Sequence, residues 1–83
     1  MYNIEFSEKA LRFFEKLEKN DQKRIGAVIE RVKVRPQDFV EKLIGETGYK
    51  LRVGDYRLFL DISNEKLLIL IIEIRHRRNA YKK

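Results

Sequence analysis

Hydrophobic and polar residues alternate at the start of the chain, and hydrophobic residues then recur at helical spacing. Tyr2, Ile4 and Phe6 alternate with polar residues, which predicts a short strand with one buried face. Ser7 can cap a helix, because its hydroxyl oxygen accepts a hydrogen bond from an N–H group of the first turn. Apolar residues recur at helical spacing as far as about Glu18, so a first helix is predicted over this segment.

A second helix is predicted after only a few polar residues. Asn20 or Asp21 can cap it, and Pro36 is expected to end it because proline lacks the backbone N–H group that a helix needs. Its apolar stripe follows i, i+3, i+4, i+7 spacing and consists of Ile25, Val28, Ile29 and Val32. The short break between the helices predicts an antiparallel helical hairpin. The apolar stripe of this hairpin must pack against a sheet.

Three strand-like runs follow a loop at about residues 36–48. They are Tyr49–Val53, Tyr56–Ile62 and Lys66–Ile74, and short turn-forming segments separate them. The last run is apolar on both faces, which predicts a central place in the sheet. One strand, a two-helix hairpin and three antiparallel strands predict an α+β fold with the helices packed on one face of a small sheet. The opposite face is expected to stay open for binding.

The size and charge of the chain restrict its function. A length of 83 residues predicts one domain over residues 1–83 with a modest core, which leaves no room for a large cofactor cleft. The formal net charge is +6, and the last nine residues carry five Lys or Arg and no acid. Charge focused in this way favours a nucleic acid, an anionic surface or an acidic protein partner.

The cysteine and histidine content excludes several kinds of site. The chain has no cysteine and one histidine, so we expect no disulfide, no cysteine nucleophile and no zinc site built by the protein. The start of the chain has no basic segment leading into a long apolar stretch, and the apolar run Leu67–Ile72 is too short to cross a bilayer. We therefore expect a cytoplasmic protein that uses no metal and no cofactor and does not associate with a membrane.

Basic residues on the predicted strands form the candidate site. Strand alternation sends Lys50 and Arg52 to one face, and Arg57 returns beside them after a Gly-Asp turn. A site rich in Arg and Lys suits the phosphates of RNA. RNA can be cut without a metal when its own 2′-hydroxyl attacks the adjacent phosphate, provided that the protein moves protons and stabilises charge. Lys50 is the better proton acceptor, because a cationic neighbourhood favours its neutral amine and guanidinium hardly deprotonates.

The same residues resemble a known family of toxins. The segments Tyr49–Arg57 (YKLRVGDYR) and Arg75–Tyr81 (RHRRNAY), with Lys42–Gly45 (KLIG) before them, resemble the RelE toxins of the RelE/ParE superfamily. These are the toxin halves of prokaryotic toxin–antitoxin pairs. The resemblance implies cleavage of messenger RNA in the ribosomal A site and inhibition of translation. It also implies a RelB-like antitoxin that forms a heterodimer or heterotetramer with the toxin.

The resemblance further implies a role for each residue of the motif. Lys50 and Arg52 fall on the two basic strand positions that the family uses for base chemistry and transition-state charge, and Arg57 falls on the phosphate-binding arginine. Arg77 falls on the arginine proposed as general acid or phosphate ligand, and Tyr81 on the C-terminal tyrosine that orients the substrate. Arginine at position 52 replaces the lysine of the family and makes proton abstraction there less plausible. The segment between Arg77 and Tyr81 is also shorter than in the best-known bacterial RelE.

Other basic residues near the C-terminus are candidates for RNA binding by charge. They are Arg75, His76, Arg78, Lys82 and Lys83. His76 either orients a turn or shuttles protons, and it lacks the second histidine that ribonucleases with histidine pairs require. Tyr81 has the alternative interpretation of a packing anchor for the C-terminal tail.

The strand residues of the motif also have structural interpretations. Lys50 and Arg52 fit the solvated face of an amphipathic strand. Arg57 is one charge within a largely apolar strand, and Asp61 or Glu73 could pair with it. These interpretations predict the same fold without the chemistry.

Two other functions are compatible with the same fold, because architecture alone does not determine activity. A ParE-like inhibitor of DNA gyrase binds and poisons an enzyme without cutting RNA. A catalytically weakened, basic RNA-binding module keeps the charge and loses the chemistry. The presence of Lys50, Arg52, Arg57, Arg77 and Tyr81 favours the endoribonuclease.

Overall fold

A computed structural model describes residues 1–77 of the chain. Its elements are β1 (Asn3–Phe6), α1 (Glu8–Glu15), α2 (Lys19–Val32), a 3₁₀ turn (Pro36–Asp38), β2 (Glu41–Lys42), β3 (Tyr49–Val53), β4 (Tyr56–Ser63) and β5 (Leu68–His76). The strands form one sheet in the order β1-β5-β4-β3-β2, in which β1 is parallel to β5 and the other neighbours are antiparallel. This architecture confirms the predicted α+β fold.

Both helices pack on one face of the sheet and bury it. α1 contacts β5 and β1, and α2 contacts β3. The buried strand residues alternate with exposed or half-buried ones, so the side chains between them point to the opposite face. The core consists of Ala10, Ile25, Ile29, Val32, Leu51, Val53, Tyr56, Leu58, Leu60, Ile69, Ile71 and Ile74. Neither helix covers the opposite face, which we call the open face.

A register slip in β5 keeps its apolar residues in the core. Phe59 of β4 pairs with Glu73, whereas the next residue of β4 pairs with Ile71, so Ile72 is left without an opposite residue. Such a bulge lets two residues that are three positions apart face the same side. Ile71 and Ile74 are accordingly both buried. Glu73 then stands beside Phe59 on the open face.

The position of β5 follows from its apolar pattern. The strand lies inside the sheet, between β1 and β4, as predicted from apolar residues on both of its faces. The segment predicted as a loop contains the two-residue strand β2, which pairs with the start of β3 and adds a fifth strand at that edge. β4 is therefore the middle strand of the sheet. β5 also begins and ends two residues later than predicted. The preceding turn is longer, since Leu67 adopts a left-handed conformation with φ 50°.

The start of α1 agrees with the prediction and its end does not. The N–H group of Ala10 donates to the Ser7 hydroxyl at 3.0 Å, so Ser7 caps the helix. The helix ends at Glu15 and not near Glu18. The side-chain amide of Gln22 donates to the backbone carbonyls of residues 14, 15 and 17 at 3.0, 3.3 and 3.1 Å. These carbonyls are the acceptors that a longer helix would have used.

The predicted cap and end of α2 are wrong. Glu18 is the residue before the helix, and Asn20 and Asp21 lie in its first turn. The Asp21 carboxylate accepts a hydrogen bond from the Tyr56 hydroxyl at 2.9 Å instead of capping the helix. The helix ends at Val32, before Pro36, which opens the 3₁₀ turn. No helix within residues 1–77 is long and apolar enough to cross a membrane.

Candidate functional site

Basic side chains from three neighbouring strands share the open face. Arg52 of β3 lies directly opposite Arg57 of β4, and Arg57 lies directly opposite Arg75 of β5. Directly opposite residues of antiparallel strands lie on the same face, with their Cβ atoms about 5 Å apart. The three residues therefore form a line across the sheet, which we call the arginine row.

A cleft of about 220 Å³ opens beside the arginine row, at the edge of the sheet where β2 is too short to cover β3. Its lining residues are Phe39, Glu41, Lys50, Leu51, Arg52 and Arg57. Lys50 lies two residues before Arg52 on the same strand, so both side chains are on the open face. The structure thus brings together three of the predicted site residues, Lys50, Arg52 and Arg57.

One carboxylate lies within this basic cleft. Glu41 of β2 is directly opposite Lys50 of β3, and its Oε1 atom is 3.7 Å from the Lys50 Nζ atom. Both side chains are substantially exposed, so the pair contributes at most about 1 kcal/mol. The carboxylate thus lies beside the Lys50 ammonium group within the cleft.

We expect Glu41→Gln to strengthen the binding of a short RNA, because it removes a negative charge that competes with phosphate for Lys50. The expected gain is at most about fivefold, in keeping with the small free energy of an exposed pair. Fluorescence anisotropy with a labelled RNA at low salt measures it. Glu8→Gln removes an equally exposed carboxylate from α1, far from the cleft, and serves as the control. Unchanged affinity in Glu41→Gln would contradict the expectation.

The third member of the arginine row is fixed by two neighbours. The Arg75 Nε and Nη2 atoms donate to the Glu73 carboxylate at 2.8 and 3.3 Å, and the Arg75 Cζ atom lies 5.0 Å from the centroid of the Phe59 ring. The Lys9 Nζ atom of α1 reaches the same carboxylate at 3.3 Å. The hydrogen bonds from Arg75, with a smaller contribution from Lys9, hold the pKa of Glu73 below its usual value.

His76 and Arg77 occupy different places from the arginine row. His76 pairs with Tyr56 on the helix-covered side of the sheet, where the two ring centroids are 5.0 Å apart at an interplanar angle of 87°. The Arg77 backbone N–H group donates to the Asp55 carbonyl at 2.6 Å. This bond places the start of the C-terminal segment at the turn between β3 and β4, beside the end of the strand that carries Arg57.

The remaining predicted site residues lie outside the part of the chain that the structure describes. They are Arg78, Tyr81, Lys82 and Lys83. Within residues 1–77, no group of three or more His, Asp or Glu side chains is arranged to hold a metal ion.

The turn between β3 and β4 is held against α2. The Tyr56 hydroxyl donates to Asp21 at 2.9 Å, and burial together with this carboxylate raises the pKa of Tyr56 to about 12. Gly54 adopts φ +58°, and a Cβ atom at this position would lie 2.6 Å from the Arg24 Nη1 atom. The Tyr56–Asp21 hydrogen bond therefore holds the end of the sheet from which Arg52 and Arg57 project.

The Tyr56 hydrogen bond predicts a pH-dependent stability. Because the folded-state pKa of Tyr56 is about 12 and the unfolded value is 10.0, its contribution is complete below pH 10 and is lost as pH rises through about 12. We expect Tyr56→Phe to lower the free energy of unfolding by about 1 kcal/mol near neutral pH. Urea unfolding of both proteins measures the difference, which should shrink between pH 10 and about 12. A constant difference over this range would contradict the assignment. Tyr2→Phe, whose exposed hydroxyl donates to Asn64, is the control.

A family model matches nearly the whole chain. The model is described as ParE toxin of type II toxin-antitoxin system, parDE, and it matches residues 4–81. The chain belongs to the RelE/ParE superfamily of toxins. This membership confirms the superfamily that the segments Tyr49–Arg57 and Arg75–Tyr81 indicated. No curated protein sequence matches this toxin.

Solved structures of RelE toxins share the fold of this toxin. The toxin is similar to the toxin of the intact Escherichia coli RelBE toxin–antitoxin complex, with a TM-score of 0.80, 25% identity, and coverage of 92% of this chain and 96% of that chain. The isolated E. coli RelE toxin matches with a TM-score of 0.80 and 26% identity, over 92% of this chain and 84% of that chain. The toxin–antitoxin complex RelBE2 from Mycobacterium tuberculosis matches with a TM-score of 0.77 and 28% identity, over 92% of this chain and 98% of that chain.

Sequence reasoning missed three residues of this site in the RelE/ParE toxin and gave a fourth, Glu73, a different partner. Phe39 and Glu41 lie in the predicted loop, where the sequence gives no periodic signal for their placement beside Lys50. Phe59 could have been found, because it lies two residues after Arg57 and thus on the same face of the strand. Glu73 was predicted only as a possible partner of Arg57, and it pairs with Arg75 and Lys9.

Proposed function

We propose that this toxin is a ribosome-dependent, metal-independent endoribonuclease that cleaves messenger RNA in the ribosomal A site. The observation that carries the proposal is the convergence of Lys50, Arg52 and Arg57 on one cleft of the open face. The likeness to RelE toxins supports it, since the overlap extends over most of both chains. A toxin that acts on ribosomes works in the cytoplasm and inhibits translation.

The chemistry assigned to the site is an attack within the RNA itself. The 2′-oxygen forms a bond to the adjacent phosphorus, and the bond from phosphorus to the 5′-oxygen of the next nucleotide breaks. Lys50 accepts the 2′-hydroxyl proton, and Arg52 and Arg57 hold the non-bridging oxygens as their charge grows. Arg77 is assigned to the departing oxygen, as proton donor or phosphate ligand, and Tyr81 to orientation of the substrate. No metal or cofactor is needed for this step.

The proposed protein partner is a RelB-like antitoxin. Structures of the similar toxins include the RelBE complex of E. coli and the RelBE2 complex of M. tuberculosis. An acidic antitoxin segment would be attracted to Lys50, Arg52 and Arg57 and would exclude RNA from the cleft. We propose a heterodimer or heterotetramer in which the antitoxin blocks the site.

Cleavage on programmed ribosomes tests the proposed function. Purified toxin without antitoxin is added to ribosomes of its own host that hold a defined codon in the A site, and reverse transcription maps the cut. We expect a stop within that codon when ribosomes are present and none in the ribosome-free control. The stop should disappear in Lys50→Ala. Absence of cleavage by folded protein would overturn the proposal.

A ParE-like gyrase inhibitor is the second candidate function. The observation that favours it is the family model, whose description names the ParE toxin of parDE. Gyrase supercoiling with purified toxin separates the two candidates, because inhibition is expected only from the ParE-like protein. Inhibition of supercoiling together with intact messenger RNA would establish the second candidate.

A further inference from the structure

Arg75 differs from an ordinary phosphate-binding arginine because a carboxylate already neutralises it. Two of its nitrogen atoms bind Glu73, at 2.8 and 3.3 Å, and its Cζ atom lies 5.0 Å from the centroid of the Phe59 ring. The side chain is nevertheless 52% exposed. The guanidinium lies over the Phe59 ring and Glu73 binds two of its nitrogen atoms, so part of a fixed planar group stays open to solvent. Arg75 thus presents a flat, fixed surface rather than an available charge.

A recess of about 450 Å³ opens beside this flat surface. Its walls combine the apolar side chains of Leu43, Ile44, Phe59 and Ile72 with Thr47, Arg75 and the carboxylates of Glu46 and Glu73. Ile44 is 99% exposed and Ile72 38% exposed, so apolar surface faces solvent at this point of the open face. The Thr47 hydroxyl adds a group that can both donate and accept a hydrogen bond.

The recess adjoins the cleft in which the RNA phosphate is proposed to bind. Arg57 lines the cleft and lies directly opposite Arg75, one strand spacing of about 4.8 Å away. Arg52 lies one strand further on. A ligand that spans both places therefore needs an anionic group and, beside it, a flat group that stacks. A nucleotide has this combination.

We propose that the recess binds a base of the RNA substrate, stacked on the exposed face of Arg75, while the neighbouring phosphate lies against Arg57 and Arg52. This inference rests on the proposed function and adds a base-binding subsite to it. Bases that are not paired stack on guanidinium planes as they do on aromatic rings. Glu73 and Phe59 act as positioning residues, because a side chain that is already fixed loses little conformational entropy when a base binds.

Binding of a trinucleotide tests this subsite. The probe is a 2′-O-methyl RNA trinucleotide, which has no free 2′-hydroxyl and is not cleaved, compared with three versions that each lack one base. Arg75→Lys keeps the charge and removes the plane. We expect it to weaken binding of the complete probe roughly tenfold, and to leave the affinity for one of the abasic versions unchanged. Arg31→Lys on the exposed surface of α2 is the matched control and should bind like the wild type.

The outcomes separate the subsite from the proposed function. Arg57→Ala should weaken binding of all four probes, because it removes a phosphate contact. If it changes none of them, the proposed function fails. If Arg57→Ala weakens binding but Arg75→Lys binds the complete probe like the wild type, the base subsite alone is overturned. Amide resonances of Thr47 and Phe59 that move with the antitoxin and not with the trinucleotide would also overturn it, and would assign the recess to the antitoxin.

Discussion

Replacement of Arg57 by alanine is expected to reduce messenger RNA cleavage on ribosomes by about 100-fold to 1,000-fold. Arg57 lies on the middle strand and in the middle of the arginine row, between Arg52 and Arg75. Removal of one donor that faces the charge of the transition state typically has an effect of this size. Single-turnover cleavage of a messenger RNA on programmed ribosomes measures it, and toxin expression should then no longer stop growth.

A conservative variant and a distant variant complete this experiment. Arg57→Lys keeps the charge but loses the forked pair of donors, so we expect an intermediate rate. Arg31→Ala removes an exposed arginine from α2 and should cleave like the wild type. Circular dichroism and a urea midpoint close to that of the wild type would show that Arg57→Ala still folds. Normal cleavage by folded Arg57→Ala would remove the phosphate role from this residue.

The main strands could be predicted because local signals agree with the final packing. Tyr49–Val53 has the predicted bounds, and the strand that begins at Tyr56 continues one residue beyond the prediction. Their two-residue alternation matches the burial of one face, and Gly54 permits the tight turn between them. The two-residue strand β2 was missed, since alternation needs more residues than it has. The cap of α2 was wrong because Asp21 bonds to Tyr56, and propensity alone contains no such long-range contact.

The candidate site was predictable only where register follows from a short turn. The Gly-Asp turn alone sets Arg52 opposite Arg57, so this half of the arginine row could be inferred from the sequence. Arg75 comes opposite Arg57 through the pairing of β4 with β5, which contains an extra residue at Ile72. A bulge of this kind changes which side chains share a face, and no local sequence signal marked it. The fixed position of Arg75 therefore emerges only from the structure.

Leu58→Ala is expected to destabilise the toxin by about 3 kcal/mol, the largest stability change among these variants. Leu58 is fully buried on the middle strand, directly before Phe59 and after Arg57. The substitution loses buried methyl groups and leaves a cavity, because neighbouring strands and helices can close only part of the space. Domains of this size have a total stability of about 5 to 15 kcal/mol, so a large share would be lost.

Urea unfolding measures the effect of Leu58→Ala, and Leu11→Ala on α1 is the matched control. Leu11 is 41% exposed, and alanine is at least as favourable in a helix, so its stability should change by less than about 0.5 kcal/mol. Leu58→Ala should lower cleavage and growth inhibition only as far as it lowers the folded fraction, because its side chain points away from the cleft. A full loss of activity in protein that remains folded would show that packing beneath the open face also positions Arg57. A change of less than about 1 kcal/mol would contradict the assigned core position of Leu58.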